Sequence, residues 1–225
     1  MKNKVELIGF YGSDEIIACS AWTSTSRTLT TEKKERIPKL INSLWMDGHE
    51  TPFEKATVHF LVDTDIATHI HLLKHRISSM NAESARYKEL KEDKFYIPDD
   101  WKGIKTTSLP GSAEDMTWDK LLQIYTELGN TYYHACLKDL EPVLGRKRAK
   151  ESARYFKTYN SQIQADVSFN LRSFANLQKL RNSSHAQKEV KEVSNEMLIL
   201  VENIQDKPFQ HTLEVFKKRI QEKGF

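Results

Sequence analysis

The chain has 225 residues, 39% hydrophobic and 29% charged, with a formal net charge of +3. That balance supports a core beneath a well-charged surface and predicts a single domain over residues 1–225, the length also suiting two small ones. A net charge of +3 is too weak for non-specific nucleic-acid binding, which needs a concentrated basic face.

In chain order, the start, Met1 to Phe10, carries Lys2, Lys4 and Glu6 and lacks the apolar stretch of a signal peptide. Val5 to Phe10 reads as a strand. Asp14 is expected to cap a helix through Ile16, Ile17 and Ala21. A second helix is predicted from Glu32 to Met46, because Ile37, Leu40, Ile41 and Leu44 share one face, and Gly48 suits its end. From Ala56 to Val62 the pattern has period two: Val58, Phe60 and Val62 point one way, Thr57, His59 and Leu61 the other. This is a strand with one apolar face. Asp63 or Thr64 is expected to cap a helix through Ile66, Ile70 and Leu73. Lys88 to Met116 holds Pro98, Gly103, Pro110 and Gly111 with little periodicity and reads as a long loop with at most one short helix. From Thr117 onward the spacing is helical to the end: Trp118, Leu121, Leu122, Tyr125, Leu128, Tyr132 and Cys136, then Phe209, Leu213, Phe216 and Ile220. Strands early and helices late predict an α+β fold, a mixed or antiparallel sheet packed with long helices.

Cys19 and Cys136 are the two cysteines. Neither belongs to a CxxC pair, so a thiolate metal site is not expected, and nothing points to a disulfide between them. No run of about 18 apolar residues is present. These features predict a cytoplasmic protein with no metal and no membrane span.

Two segments carry chemistry. The first is Lys74-His75-Arg76-Ile77-Ser78-Ser79-Met80-Asn81-Ala82-Glu83-Ser84-Ala85-Arg86-Tyr87-Lys88. Arginine and lysine give charge-assisted donors to phosphate, and serine hydroxyls and backbone amides complete such a shell. A solvated charged face is the ordinary meaning of a basic run. Here the run interrupts a helix, has no acidic stretch after it and is threaded with serines, which favours a phosphorylated small molecule.

The second segment is Asn170 to Arg181. On a helical wheel, Leu171, Phe174, Leu177 and Leu180 spread over one broad apolar side, with Asn170 and Arg181 in its middle. Arg172, Asn176 and Lys179 lie opposite. An arginine centred on an apolar face is costly unless paired. Either it forms an internal salt bridge, for instance to Glu54 or Asp166, or it faces a buried ligand.

Lys74-His75-Arg76, seven residues, then Ser84 resembles the Arg-His-Arg, seven residues, Ser motif of the flavin-dependent thymidylate synthases. The likeness continues to Arg86-Tyr87. Upstream, Gly48-His49-Glu50-Thr51-Pro52-Phe53-Glu54 is similar to the family's Gly-His-Glu-Ser/Thr-Pro-Phe-Glu. Downstream, Phe95-Tyr96-Ile97-Pro98 also fits. The block from Asn170-Leu171-Arg172-Ser173-Phe174 through Asn176, Leu180-Arg181 and His185-Ala186-Gln187 resembles the second long motif, and Arg154 matches the arginine of a preceding helix. Several blocks in the right order are far more specific than one basic triplet.

The resemblance implies conversion of dUMP to dTMP, with methylenetetrahydrofolate as carbon donor and FAD, reduced by NADPH, as hydride carrier. It implies a homotetramer whose active sites are shared between subunits. It assigns Lys74, His75 and Arg76 to the flavin, with Lys74 also near the nucleotide, and Thr51, Asn170, Arg172 and Asn176 to FAD as well. It assigns Ser84, Ala85 and Arg86 to the dUMP phosphate, helped by Arg154, and gives Arg181 the pyrimidine, favouring the form ionised at N3. Ser84 is a phosphate ligand rather than a nucleophile, since spacing places no histidine base beside it. Cys19 and Cys136 receive no catalytic role. Three positions depart from the family. Lys74 replaces the usual arginine and loses its planar fork. His71 stands where glutamine is common. Ala82 stands where Glu or Gln often touches the nucleotide, with Glu83 one residue later. The alternatives are one-carbon transfer to another pyrimidine nucleotide, and a non-enzymatic oligomer binding nucleic acid through the basic segment.

Overall fold

The computed structural model describes residues 1–111 and 113–222, without the side chains of residues 219–222. Along the chain lie β1 (Lys4–Tyr11), α1 (Asp14–Trp22), α2 (Thr31–Met46), β2 (Thr57–Asp65), α3 (Ile66–Leu73), β3 (Ser78–Ala82), α4 (Trp118–Ala153), β4 (Gln162–Asn170), α5 (Leu171–Arg181), α6 (Lys188–Glu202) and α7 (Gln210–Glu222). Short 3-10 turns cover Thr51–Lys55, Asp99–Trp101 and Arg154–Phe156. The strands form one antiparallel four-stranded sheet in the order β1-β2-β4-β3. The fold is α+β, as expected.

The chain divides into two compact units. One comprises Met1–Asn3, Asp63–Ile70 and Ala82–Ala165, the other Lys4–Val62, His71–Asn81 and Asp166–Phe225. The second holds the main core. Val58, Phe60 and Val62 are fully buried with Val167, Phe169, Phe174, Ile41 and Met197. The period-two pattern of β2 causes this, since it turns every second side chain inward. Phe60 stacks on Phe174 at 5.8 Å between ring centroids, and truncating such a ring to alanine costs about 3–5 kcal/mol. Asp14 fastens α7: its carboxylate accepts from the amides of His211 (2.7 Å) and Thr212 (3.2 Å), capping the first turn. The first unit has a smaller core of Tyr133, Leu137, Ala149 and Ala153.

Several local expectations need correction. Helix α1 is capped by Ser13, whose hydroxyl accepts from the Ile16 amide, and not by Asp14. Helix α3 is served by Asp65, which accepts from the Thr68 amide at 2.9 Å, and not by Asp63 or Thr64. The chain is not helical throughout after Thr117, because β4 intervenes. Leu180 is exposed, while Gln178 and Ser173 are buried on α5. Gln178 donates to the Ser194 carbonyl at 3.0 Å, so its burial leaves the amide donor satisfied. On α4, Tyr125, Leu128 and Tyr132 are exposed, and the buried face is Thr126, Asn130, Tyr133 and Leu137. The side chain of Ile220 lies outside the described residues. Cys19 and Cys136 are both free. No helix among the described residues is long and apolar enough to cross a membrane.

Candidate active site

The second unit gathers Thr51, His71, Lys74, His75, Arg76, Asn170, Arg172, Asn176 and Arg181. Helix α3 stops at Leu73, and the triplet follows it directly. His75 turns inward and is 4% exposed, while Lys74 and Arg76 face solvent. The triplet's backbone is fixed on both sides: the Ile77 amide donates to the Ser173 hydroxyl (3.3 Å) and the Ser78 hydroxyl to the His75 carbonyl (2.8 Å). Lys74 and Arg76 have no carboxylate partner among the described residues.

The guanidinium of Arg181 donates from Nε to His75 Nε2 at 2.7 Å. Neither Glu54 nor Asp166 pairs with it. Glu54 takes Arg172 at 2.6 Å, and Asp166 takes His59 at 2.7 Å. The acceptor role requires an unprotonated Nε2. Burial, then the charges of Arg181 and His71, push the His75 ring down from 6.5 to about 4. The ring is therefore neutral near pH 7, and Arg181 has no carboxylate partner among the described residues.

Two other expected residues already have structural work. Asn170 is the N-cap of α5, its Oδ1 accepting from the Ser173 amide at 2.8 Å, and its amide nitrogen has no partner among the described residues. Arg172 sits in the first turn of α5, where a cation opposes the helix dipole. Glu50 (2.8 Å) and Glu54 (2.6 Å) offset this, and their hydrogen bonds hold the guanidinium more firmly protonated. Thr51 and Asn176 are exposed, and His71 is half-buried in the last turn of α3.

The first unit gathers Ala82, Glu83, Ser84, Ala85, Arg86 and Arg154. The Tyr87 and Lys88 amides both donate to the Ser84 carbonyl at 2.9 Å, and the Arg86 amide to the Ser84 hydroxyl at 3.3 Å. The segment is thus a single tight turn. Arg86 donates from Nε to Glu151 at 2.8 Å, the one carboxylate it meets among the described residues. Arg154, at the end of α4, is exposed and has no carboxylate partner among the described residues. Glu83 does not point free. It accepts from the Gln164 amide (3.2 Å) and from Lys88 (2.5 Å), and its own amide donates to the Gln164 carbonyl (2.9 Å).

A family model described as "Thymidylate synthase complementing protein" matches residues 6–205. The flavin-dependent thymidylate synthase of Thermosipho africanus is 32% identical over 221 residues, 96% of this chain and 92% of that protein. That of Pseudothermotoga lettingae is 32% identical over 188 residues, 84% and 80% of the two chains. The chain belongs to the flavin-dependent thymidylate synthases. Membership places it among methyl-transferring enzymes and decides against the reading of a binding protein without activity. Among solved structures, a UMP/dUMP methylase, PolB from Streptomyces cacaoi, bound with 5-Br dUMP, matches with a TM-score of 0.75 at 26% identity, covering 96% of this chain and 95% of that one. The same protein bound with 5-Br UMP matches at 0.74 and 25%.

Sequence reasoning missed the His75–Arg181 bond and the buried side chain of Lys157. No local pattern signals a contact between residues so far apart. Lys157 lies in a polar stretch where burial has no periodic signature.

Proposed function

We propose that the chain converts dUMP to dTMP. Methylenetetrahydrofolate supplies the carbon and FAD, reduced by NADPH, the hydride. In balance, dUMP, methylenetetrahydrofolate, NADPH and a proton give dTMP, tetrahydrofolate and NADP⁺. The observation that carries the reading is Arg181, a cation held by a neutral imidazole at 2.7 Å rather than by a carboxylate. Such a group is free to stabilise negative charge on a ligand.

Lys74 and Arg76 are exposed and lack carboxylates among the described residues, beside exposed Leu73 and Ile77. Cations next to apolar side chains fit a dinucleotide with a pyrophosphate and a flat ring system. Thr51, Asn176 and the side-chain amide of Asn170 would add hydrogen bonds, with Arg172 beside them. FAD, when bound, supplies the hydride that completes the methyl group. The protein's own residues do the rest. Ser84, Ala85, Arg86 and Arg154 hold the substrate phosphate. Arg181 donates to the pyrimidine and favours its N3 anion, which enriches carbon 5 in electron density and makes it nucleophilic. His71, Ala82 and Glu83 stand at the positions bordering the nucleotide. A homotetramer is supported by the exposed apolar stripe Ile124, Tyr125, Leu128 and Tyr132 along α4, since a contiguous apolar patch of this kind suits a protein interface.

A second reading is favoured by PolB, crystallised with 5-Br UMP as well as 5-Br dUMP: the ribonucleotide is also a substrate. The test is tritium release from carbon 5 of labelled dUMP and of labelled UMP, with FAD, folate and NADPH present. Release from dUMP with dTMP formed is expected. No dTMP sinks the first reading, release from both nucleotides supports the second, and no release from UMP refutes the second.

A further inference from the structure

We infer that Lys157 is a positioning residue that sets the two phosphate-binding arginines, Arg86 and Arg154, in register; this rests on the phosphate-site reading above. The side chain of Lys157 is 4% exposed. Burying an ammonium group is expensive unless it is paired and hydrogen-bonded. Here the group meets Asp93 Oδ1 at 2.6 Å, Asn130 Oδ1 at 2.8 Å and the Leu90 carbonyl at 3.5 Å, and lies 4.5 Å from the centre of the Tyr133 ring. Burial works to raise the Asp93 carboxyl, but the hydrogen bonds from Lys157 and His134 outweigh it and hold the group below its usual range. Asp93 adopts a left-handed backbone with φ 48°, a conformation that costs a non-glycine residue about 1 kcal/mol and persists when its surroundings over-determine it.

The placement of these partners decides the role. A lysine that served only the core would join one regular element to another. Lys157 instead fastens a loop. Leu90 and Asp93 follow the Ser84–Lys88 turn that carries Arg86. The Leu90 amide also donates to the Tyr133 hydroxyl at 3.2 Å, and His134 holds the second oxygen of Asp93 at 2.9 Å. Upstream, the turn is fastened by the two Glu83–Gln164 bonds. Downstream, it is fastened through Lys157. The backbone of Lys157 caps the 3-10 turn that begins at Arg154, its amide donating to the Arg154 carbonyl at 3.0 Å. One side chain therefore connects the turn bearing Arg154 to the segment following Arg86. Arg86 also bonds Glu151 and Lys150 holds the Tyr87 carbonyl, both at 2.8 Å, so losing Lys157 frees the downstream anchor of the turn and loosens the spacing of the two guanidinium groups without touching either.

The test compares wild type with Lys157→Met, which keeps the bulk and removes the charge, Lys157→Arg, and Asp93→Asn, a milder variant should the first fail to fold. Steady-state kinetics are measured with dUMP and with deoxyuridine, which lacks the phosphate, and amide hydrogen exchange is followed at Tyr87, Lys88 and Leu90. Lys157→Met is expected to raise KM for dUMP about tenfold with kcat within about twofold, because misplaced binding groups weaken ground state and transition state alike. Turnover of deoxyuridine should not change, the three amides should exchange faster, and Lys157→Arg should recover part of the loss. An unchanged KM for dUMP overturns the inference. So do equal losses for dUMP and deoxyuridine, the pattern of general destabilisation. If the wild type makes no dTMP, the functional reading fails first. The exchange measurement, repeated with inorganic phosphate, then judges Lys157 alone: equal protection in wild type and Lys157→Met refutes its role.

Discussion

Protonating His75 should uncouple Arg181 from the fold. The imidazole accepts from Arg181 Nε at 2.7 Å, and an imidazolium has no lone pair with which to accept. The fall from 6.5 to about 4 corresponds to about 3 kcal/mol of preference for the neutral ring. The folded value lies below the unfolded one, so the folded state binds fewer protons between pH 4 and 6.5. Stability from this group is complete above about pH 6.5 and is lost as pH falls toward 4. Between pH 7 and pH 5 the loss amounts to about 2 kcal/mol. The perturbation is His75→Gln, whose amide oxygen can take the place of Nε2 but does not titrate. Urea unfolding of both proteins at pH 7, 6 and 5 should show the wild type losing about 2 kcal/mol more than the variant over that range. Proton NMR should find the His75 ring neutral at pH 5. Parallel pH profiles for the two proteins, or a His75 midpoint above 6, would refute the reasoning.

Three other perturbations follow from the same geometry. Arg181→Ala should lower kcat at least about a hundredfold, the scale of losing one preorganised donor to developing charge, with oligomeric state unchanged in sedimentation; turnover near wild type removes its assigned role. Lys74→Arg restores a planar fork at an exposed site without a carboxylate, and should tighten FAD binding about threefold in a fluorescence titration; weaker binding would show that the lysine is matched to its ligand. Gly129→Ala should destabilise by about 1–3 kcal/mol despite the higher helix propensity of alanine. An added Cβ there would lie 2.6 Å from the Phe156 carbonyl oxygen. A urea midpoint equal to wild type contradicts that packing.

Where local periodicity governs, the sequence was readable. Helix α2 and strand β2 fall where Ile37, Ile41, Val58, Phe60 and Val62 put them, and among the described residues the loop before α4 holds one short helical turn, Asp99–Trp101. Strand β4 was readable too, although a helix was expected there. Ile163, Ala165, Val167 and Phe169 alternate strictly with polar residues, a period of two that the helical spacing on either side concealed. Strand β3 offers no such pattern, because Ser78, Ser79 and Asn81 say nothing about which face is buried. Asn170 and Arg181 stood out as polar residues on an apolar side. One proved to be a helix cap and the other the partner of a histidine, and only tertiary contacts separate those outcomes. The basic segment marked the right residues, but not that Glu83 is spent on holding its own turn.

The order β1-β2-β4-β3 also has a kinetic consequence. Strand β3 has β4 as its sheet neighbour, and β4 begins at Gln162, well after β3 ends at Ala82. A ribosome adding about 5–20 residues per second leaves β3 and one edge of β2 without a partner for on the order of ten seconds. Through that interval the emerging chain displays open strand edges beside the apolar side chains of β2. Synthesis itself, rather than the finished enzyme, is the stage at which this fold is most exposed to aggregation and to capture by chaperones.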